Sequence, residues 1–223
     1  MRVMPRVKIC CIRSTDEAHL AIRHGASAIG LVSARPSGPG SIDENVIADI
    51  AAMMPPPIAT FLLTCLTDAD AIIDQQRRCG TNTLQLVDAV ALDAYPKLRR
   101  ALPGIGIVQV IHVHDDESVR EACAIAPHVD ALLLDSGNPA LPVKELGGTG
   151  RVHDWTLSRR IVNECGKSVF LAGGLRADNV ASAVTSVQPF GVDLCSGVRS
   201  DDHLDETKLA AFFAAIPFSG APS

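Results

Sequence analysis

Two side chains that could exchange protons with a ligand each close an apolar run. Asp135 ends Val129-Asp130-Ala131-Leu132-Leu133-Leu134-Asp135-Ser136, which reads as a buried strand finishing on a carboxylate. Behind three leucines such a carboxyl is desolvated, which raises its pKa and lets it donate a proton near neutrality. The plainer reading is a carboxylate that caps a loop or helix through backbone amides. Asp130 begins the same run at its opposite end and reads as structural. Cys10 ends Val7-Lys8-Ile9-Cys10. Side chains alternate along a strand, so Lys8 and Cys10 share one face and the branched Val7 and Ile9 the other. A thiol beside an ammonium has a lowered pKa and can serve as base or nucleophile. Its plainer reading is a buried, inert sulfur.

Signals for anion binding form a set. Gly147-Gly148-Thr149-Gly150 follows Ser136 by eleven residues, and Ala172-Gly173-Gly174 and Ser196-Gly197 close two further runs. Backbone amides in such loops can face an anion. The candidate binding residues are therefore Gly148, Gly150, Gly173, Gly174, Ser196 and Gly197, with Lys8 counted as the nearest cation. Asp193 shares a strand face with Cys195 and is expected to pair with Lys8, because a buried charge needs a partner. His112 and His114 have a spacing that some metal sites use. No carboxylate motif completes a ligand set, and no metal is expected.

These residues need a scaffold that brings strand ends together. Eight runs read as strands: Val7–Ile12, Ala28–Ser33, Ile58–Thr64, Thr83–Asp88, Gly106–Val113, Ala131–Ser136, Ser168–Gly173 and Gly191–Cys195. Helical patterns separate them, at Thr15–His24, Asp43–Met54, Asp68–Cys79, Ala91–Leu102, Asp115–Ala126, Trp155–Cys165, Ala177–Val187 and Glu206–Ala215. Thr15, Asp43, Asp68, Asp115 and Asp154 are the expected N-caps, and Gly25, Gly80 and Gly166 the expected C-terminal stops. Eight βα units without a linker point to an α/β fold, a single (β/α)8 TIM barrel over residues 1–223, with 217–223 a loose tail. The alternative is an open, doubly wound sheet. In a barrel, chemistry sits at the C-terminal ends of the strands, and loops after strands seven and eight commonly hold phosphate.

Composition narrows the partners. The net charge is −5 and no basic run or basic-aromatic stripe appears, so no nucleic acid is expected. The most apolar stretch, Val46 to Leu66, carries Asp49 and Pro55-Pro56-Pro57 and cannot be a continuous spanning helix. No signal peptide is read at the N-terminus. Seven cysteines with scattered spacing and no CxxC pair argue against a structural zinc and for a reduced, cytoplasmic setting.

Taken in order, Val7-Lys8-Ile9-Cys10, Gly25-Ala26-Ser27-Ala28-Ile29-Gly30-Leu31-Val32, Leu132-Leu133-Leu134-Asp135, Gly147-Gly148-Thr149-Gly150, His153-Asp154-Trp155, Leu171-Ala172-Gly173-Gly174-Leu175, Asp178-Asn179-Val180, Gly191-Val192-Asp193 and Ser196-Gly197-Val198 resemble the phosphoribosylanthranilate isomerase family of the tryptophan pathway. The resemblance spans nearly the whole chain. It implies a cofactor-free Amadori rearrangement of an N-linked phosphoribose, with Cys10 as general base and Asp135 as general acid. It places the phosphate on backbone amides around Gly173, Gly174, Ser196 and Gly197, in a monomer or homodimer.

Four departures accompany it. Cys11 stands where the family usually has Gly. The loop Arg35-Pro36-Ser37-Gly38-Pro39-Gly40-Ser41 has no arginine in register with the family's, leaving Arg35 as the nearest substitute. Gln85-Leu86-Val87-Asp88 replaces a Gln-Leu-His-Gly, and Arg199 replaces an acidic residue. They cluster where the aromatic carboxylate would be held. Two further readings follow: a paralogous isomerase of a different phosphorylated amino sugar, or a non-catalytic barrel that binds a phosphorylated ligand.

Overall fold

Parallel strands rich in Val, Leu and Ile can bury both faces only beneath a layer of helices. The computed structural model, which describes residues 4–35, 38–137 and 153–217, has this arrangement. The strands are β1 (Arg6–Ile9), β2 (Ala28–Val32), β3 (Ala59–Thr64), β4 (Thr83–Leu86), β5 (Gly106–His112), β6 (Ala131–Asp135), β7 (Ser168–Leu171) and β8 (Gly191–Leu194). The helices are α1 (Thr15–Arg23), α2 (Glu44–Met53), α3 (Ala69–Cys79), α4 (Ala94–Ala101), α5 (Asp116–Ile125), α6 (Trp155–Glu164), α7 (Val180–Val187) and α8 (Glu206–Ala215). Every strand pairs in parallel with the next, and β1 also pairs with β8, Lys8 opposite Asp193. That last pairing closes the sheet and excludes the open, doubly wound alternative. All eight expected strands and all eight expected helices are present.

Strand alternation sorts the apolar residues into two layers. Val7, Ile9, Ile29, Leu31, Leu132 and Leu134 point outward and pack with helix residues such as Ala18, Ile47, Ile72 and Leu98. Ala28, Phe61, Leu63, Val108, Val110, Leu133 and Phe170 fill the barrel interior, together with Cys10 and Cys11. Phe61 and Phe170 meet edge to face at 5.9 Å.

The punctuation mostly follows the sequence reading. The carboxylates of Asp68, Asp115 and Asp154 accept N–H groups of the first turns of α3, α5 and α6, and Asp115 forms a reciprocal capping box with Ser118. Gly80 ends α3 in the left-handed conformation. Two details differ. Thr15 is already helical, and the cap of α1 is Ser14, whose extended backbone lets its hydroxyl accept from Glu17. Asp43 sits at the N-cap of α2 without a side-chain hydrogen bond there. Beyond β8 lies a ribbon that the sequence reading left unassigned, β9 (Arg199–Ser200) with β10 (His203–Leu204). Asp201 and Asp202 turn it with φ of 47° and 64°, the double left-handed geometry of a tight hairpin.

Candidate active site

A closed parallel barrel puts every strand's C-terminal end on one rim. Cys10 follows β1 and Asp135 ends β6, so both stand on that rim. The strand order β6-β7-β8-β1 leaves two strands between them, and they occupy separate walls of the mouth. Both are buried. One layer below Cys10 on the same strand face, Lys8 Nζ lies 2.9 Å from Asp193 Oδ1. The pairing expected from alternation is present. Lys8 is fully buried, and its ammonium also lies 5.1 Å from the Phe61 ring centre. As placed, Lys8 faces Asp193 and not a ligand at the mouth.

Gly30 of β2 makes room for this stack. A Cβ there would lie 2.8 Å from Cys10 Sγ and 3.0 Å from Lys8 Nζ, so any side chain would displace the thiol.

The expected lowering of the Cys10 pKa is overturned. The thiol is pushed well above its ordinary value, first by its hydrogen bond with Cys11, then by burial and the Cys11 charge. The Lys8 ammonium pulls the other way and is outweighed, its charge being matched by Asp193. Cys11 gains from its hydrogen bond with Cys10, but contact with Cys195 and burial push it up to about 12. Cys10 and Cys11 therefore remain neutral and hydrogen-bonded to each other around neutral pH.

Asp135 is held by its neighbours. Its Oδ1 accepts from the Ser136 amide at 2.7 Å, and its carbonyl accepts from Val113 N at 2.9 Å. In register across the β5–β6 ladder stands His112, whose Nε2 is 3.2 Å from the Val87 carbonyl and so donates to it. Burial lowers the His112 pKa despite the opposing charge of Asp135. Burial also lowers His153 to about 4, again against Asp135, and its Nε2 lies 2.6 Å from Ser158 Oγ. Asp135 therefore faces two neutral imidazoles. Sequence reasoning weighed His112 only as a metal ligand and took His153 only as part of a motif. The run of side chains inward along β5 was the available signal for His112. His114 lies past the end of β5. Among the described residues no group of three or more His, Cys, Asp or Glu side chains is disposed to hold a metal ion.

The loops after β7 and β8 interlock. Gly173 and Gly174 take φ of 82° and 62°, a conformation that favours glycine. Asn179 braces the turn, donating to the Gly174 carbonyl at 2.9 Å and accepting from Arg176 N at 2.8 Å. Ser196–Val198 form a 3-10 turn. A Cβ on Gly197 would run into the Leu175 carbonyl oxygen, so the two loops touch backbone to backbone there. Gly148 and Gly150 lie outside the described residues.

Arg35 lies on the loop after β2. Its guanidinium donates to the Pro39 carbonyl, and its charge reaches Cys11. Cys11 itself has φ of 62°, and its side chain abuts Gly40, where a Cβ would collide with it. Behind it, buried Arg199 forms a fork on Glu17, with Nη2 2.7 Å from Oε2 and Nη1 3.0 Å from Oε1. The same guanidinium donates to the carbonyls of Cys11 and Asp202. Glu17 also accepts from Arg13 N at 2.9 Å and Leu204 N at 3.0 Å. Ser14-Thr15-Asp16-Glu17 has the spacing of a capping box, the one cue in the sequence that Glu17 would turn inward.

A cleft of about 260 Å³ opens beside this rim between the ends of β4 and β5, lined by Asp88, Val110, His112, His114, Asp115, Glu117 and Glu121 among others.

The chain was compared with known proteins. A family model described as N-(5'-phosphoribosyl)anthranilate (PRA) isomerase matches residues 7–215. A protein of Methanosarcina mazei named N-(5'-phosphoribosyl)anthranilate isomerase 2 is 36% identical, covering 93% of this chain and 92% of its own. The N-(5'-phosphoribosyl)anthranilate isomerase of Haloferax volcanii is 38% identical, covering 95% and 93%. The crystal structure of phosphoribosyl anthranilate isomerase from Thermotoga maritima superposes with a TM-score of 0.82 at 26% identity, over 95% of this chain and 98% of that one.

Proposed function

Because the chain belongs to the N-(5'-phosphoribosyl)anthranilate isomerase family, we propose that it carries out that isomerisation, with Asp135 as general acid and Cys10 as general base. Asp135 protonates the furanose ring oxygen and the C1′–O bond breaks, leaving a protonated Schiff base. Cys10, as thiolate, removes the C2′ proton, and the electron pair flows into C1′–C2′ to give the enolamine. Tautomerisation then yields the 1-(2-carboxyphenylamino)-1-deoxyribulose phosphate. The amides of Gly173, Gly174, Ser196 and Gly197 hold the phosphate, and Arg35 approaches the aromatic carboxylate.

One observation supports this reading above the others: a carboxyl ending β6 and a thiol following β1 stand on the same rim with two strands between them, where both can face one ligand at the mouth. All these groups come from one chain, so a monomer or a homodimer presents the same site. The substrate's anthranilate fluorescence falls on conversion, so turnover is followed directly. Cys10→Ala and Asp135→Asn are each expected to slow it by about a hundredfold or more. Full activity in either variant removes that residue from its role.

The acidic lining of the cleft at β4–β5 favours one competing reading. A carboxylate aglycone lodged there would meet like charge, whereas an amine would not. Conversion of other phosphosugar amines, with phosphoribosylanthranilate left untouched, would select a paralogous isomerase.

A further inference from the structure

We propose that Arg199, seated on Glu17, is a positioning residue that sets the Cys10 thiol by holding Cys11 in a left-handed backbone. The inference rests on Cys10 being the base.

Left-handed backbone at a residue other than glycine is disfavoured, because Cβ crowds the following carbonyl. Cys11 holds this conformation at the joint between β1 and the loop that leads to α1. Its neighbours are pinned on both sides. Cys10 N donates to the Leu194 carbonyl at 2.8 Å, and Ile12 N to the Gly30 carbonyl at 3.0 Å. Relaxation of Cys11 toward an ordinary conformation must therefore drag one of them. Cys10 has little room to move, since Gly30 already stands against its sulfur.

What opposes that relaxation is the carbonyl of Cys11 itself, held by the Arg199 guanidinium. The guanidinium is fixed in turn by both Glu17 oxygens and the Asp202 carbonyl. Glu17 gathers the amides of Arg13 and Leu204, so the clamp joins the β1 end, the start of α1 and the β9–β10 ribbon. A fork of charge-assisted hydrogen bonds has a fixed geometry, which suits it to holding one conformation. The pairing raises the Arg199 pKa against burial and lowers that of Glu17. The clamp stays ionised through neutral pH. Cys11 and Arg199 are two of the four departures from the family pattern, and the clamp makes them one unit: a strained residue and the group that restrains it.

The test is a double-mutant cycle between Arg199→Met and Cys11→Gly, each variant compared with its own parent. Arg199→Met in the native background is expected to lower kcat about tenfold with KM changed less than about twofold, the mark of a displaced reacting group. In the Cys11→Gly background the same change is expected to lower kcat less than about threefold, because glycine keeps the left-handed backbone without restraint. Equal losses in both backgrounds, or a fall in Tm with kcat intact, overturn the proposal. If Arg199→Met does not fold, Arg199→Lys replaces it, keeping the charge on Glu17 while losing the fork. Absence of turnover by the unsubstituted chain would count against the isomerase reading instead. The clamp is then read from the rate of Cys10 alkylation by iodoacetamide, followed by mass spectrometry, which must show the same dependence on background.

Discussion

At the scale of the residue, a base that starts as a buried neutral thiol ties activity to alkalinity. Only the thiolate removes the C2′ proton, and the hydrogen bond with Cys11, then burial, hold the Cys10 pKa above its ordinary value of 9.0. kcat/KM is therefore expected to climb about tenfold per pH unit through the neutral range, with no plateau below about pH 9. A profile that falls as pH rises would reverse the assignment and make the thiol the proton donor. Gly197 offers a test of the phosphate loops. Gly197→Ala must push the β8 loop off the Leu175 carbonyl. It is expected to raise KM about tenfold or more and to cost about 1–3 kcal/mol of stability, as overpacking does. An unchanged KM would place the phosphate elsewhere.

At the scale of the element, the interior pair on β1 and β8 is a joint at the barrel's closure. Lys8→Met leaves Asp193 buried without its cation and is expected to cost about 3–5 kcal/mol in denaturant unfolding. Adding Asp193→Asn should restore part of that loss, since the orphaned charge is gone. Equal stability of the single and double variants would show that the pair is not coupled. This joint was legible in the sequence because alternation alone puts Lys8 and Asp193 inward. The same periodicity located every strand, and short polar residues before helices located the N-caps of α2, α3, α5 and α6. The pKa of Cys10 was not legible. It depends on a turn at Cys11 that breaks the preference for glycine, and on packing that no spacing reports. The Glu17–Arg199 clamp joins residues 182 apart, and the Asp201-Asp202 turn lacks the usual Asn-Gly cue. Local rules read elements well. They fail where distant segments impose a conformation that the local residues do not prefer.

At the scale of the whole molecule, stability should depend on acid in two stages. His153, lowered to about 4 by burial, and His112, also lowered, take up protons more readily unfolded than folded. Stability is thus expected to fall as pH drops from about 6.5 toward 4, by about 2–3 kcal/mol for His153. Glu17 and Asp130, whose carboxyls are held low by Arg199 and Arg99 against burial, begin to lose their contribution as pH falls through their ordinary values of 4.5 and 3.8, so this second stage starts at the acid end of the first and continues below it. Replacing His153 with Gln should flatten the upper stage in unfolding curves taken at successive pH values. If the slope is unchanged, the imidazole is not the group responsible.

The ring that forms the mouth is sealed by its first and last strands. Nearly the full length of the polypeptide must be in place before β1 finds β8, and such distant contacts form slowly. On refolding from denaturant, helical circular dichroism should recover well ahead of turnover. Enzymatic activity would then serve as a stopwatch for the moment the ring shuts.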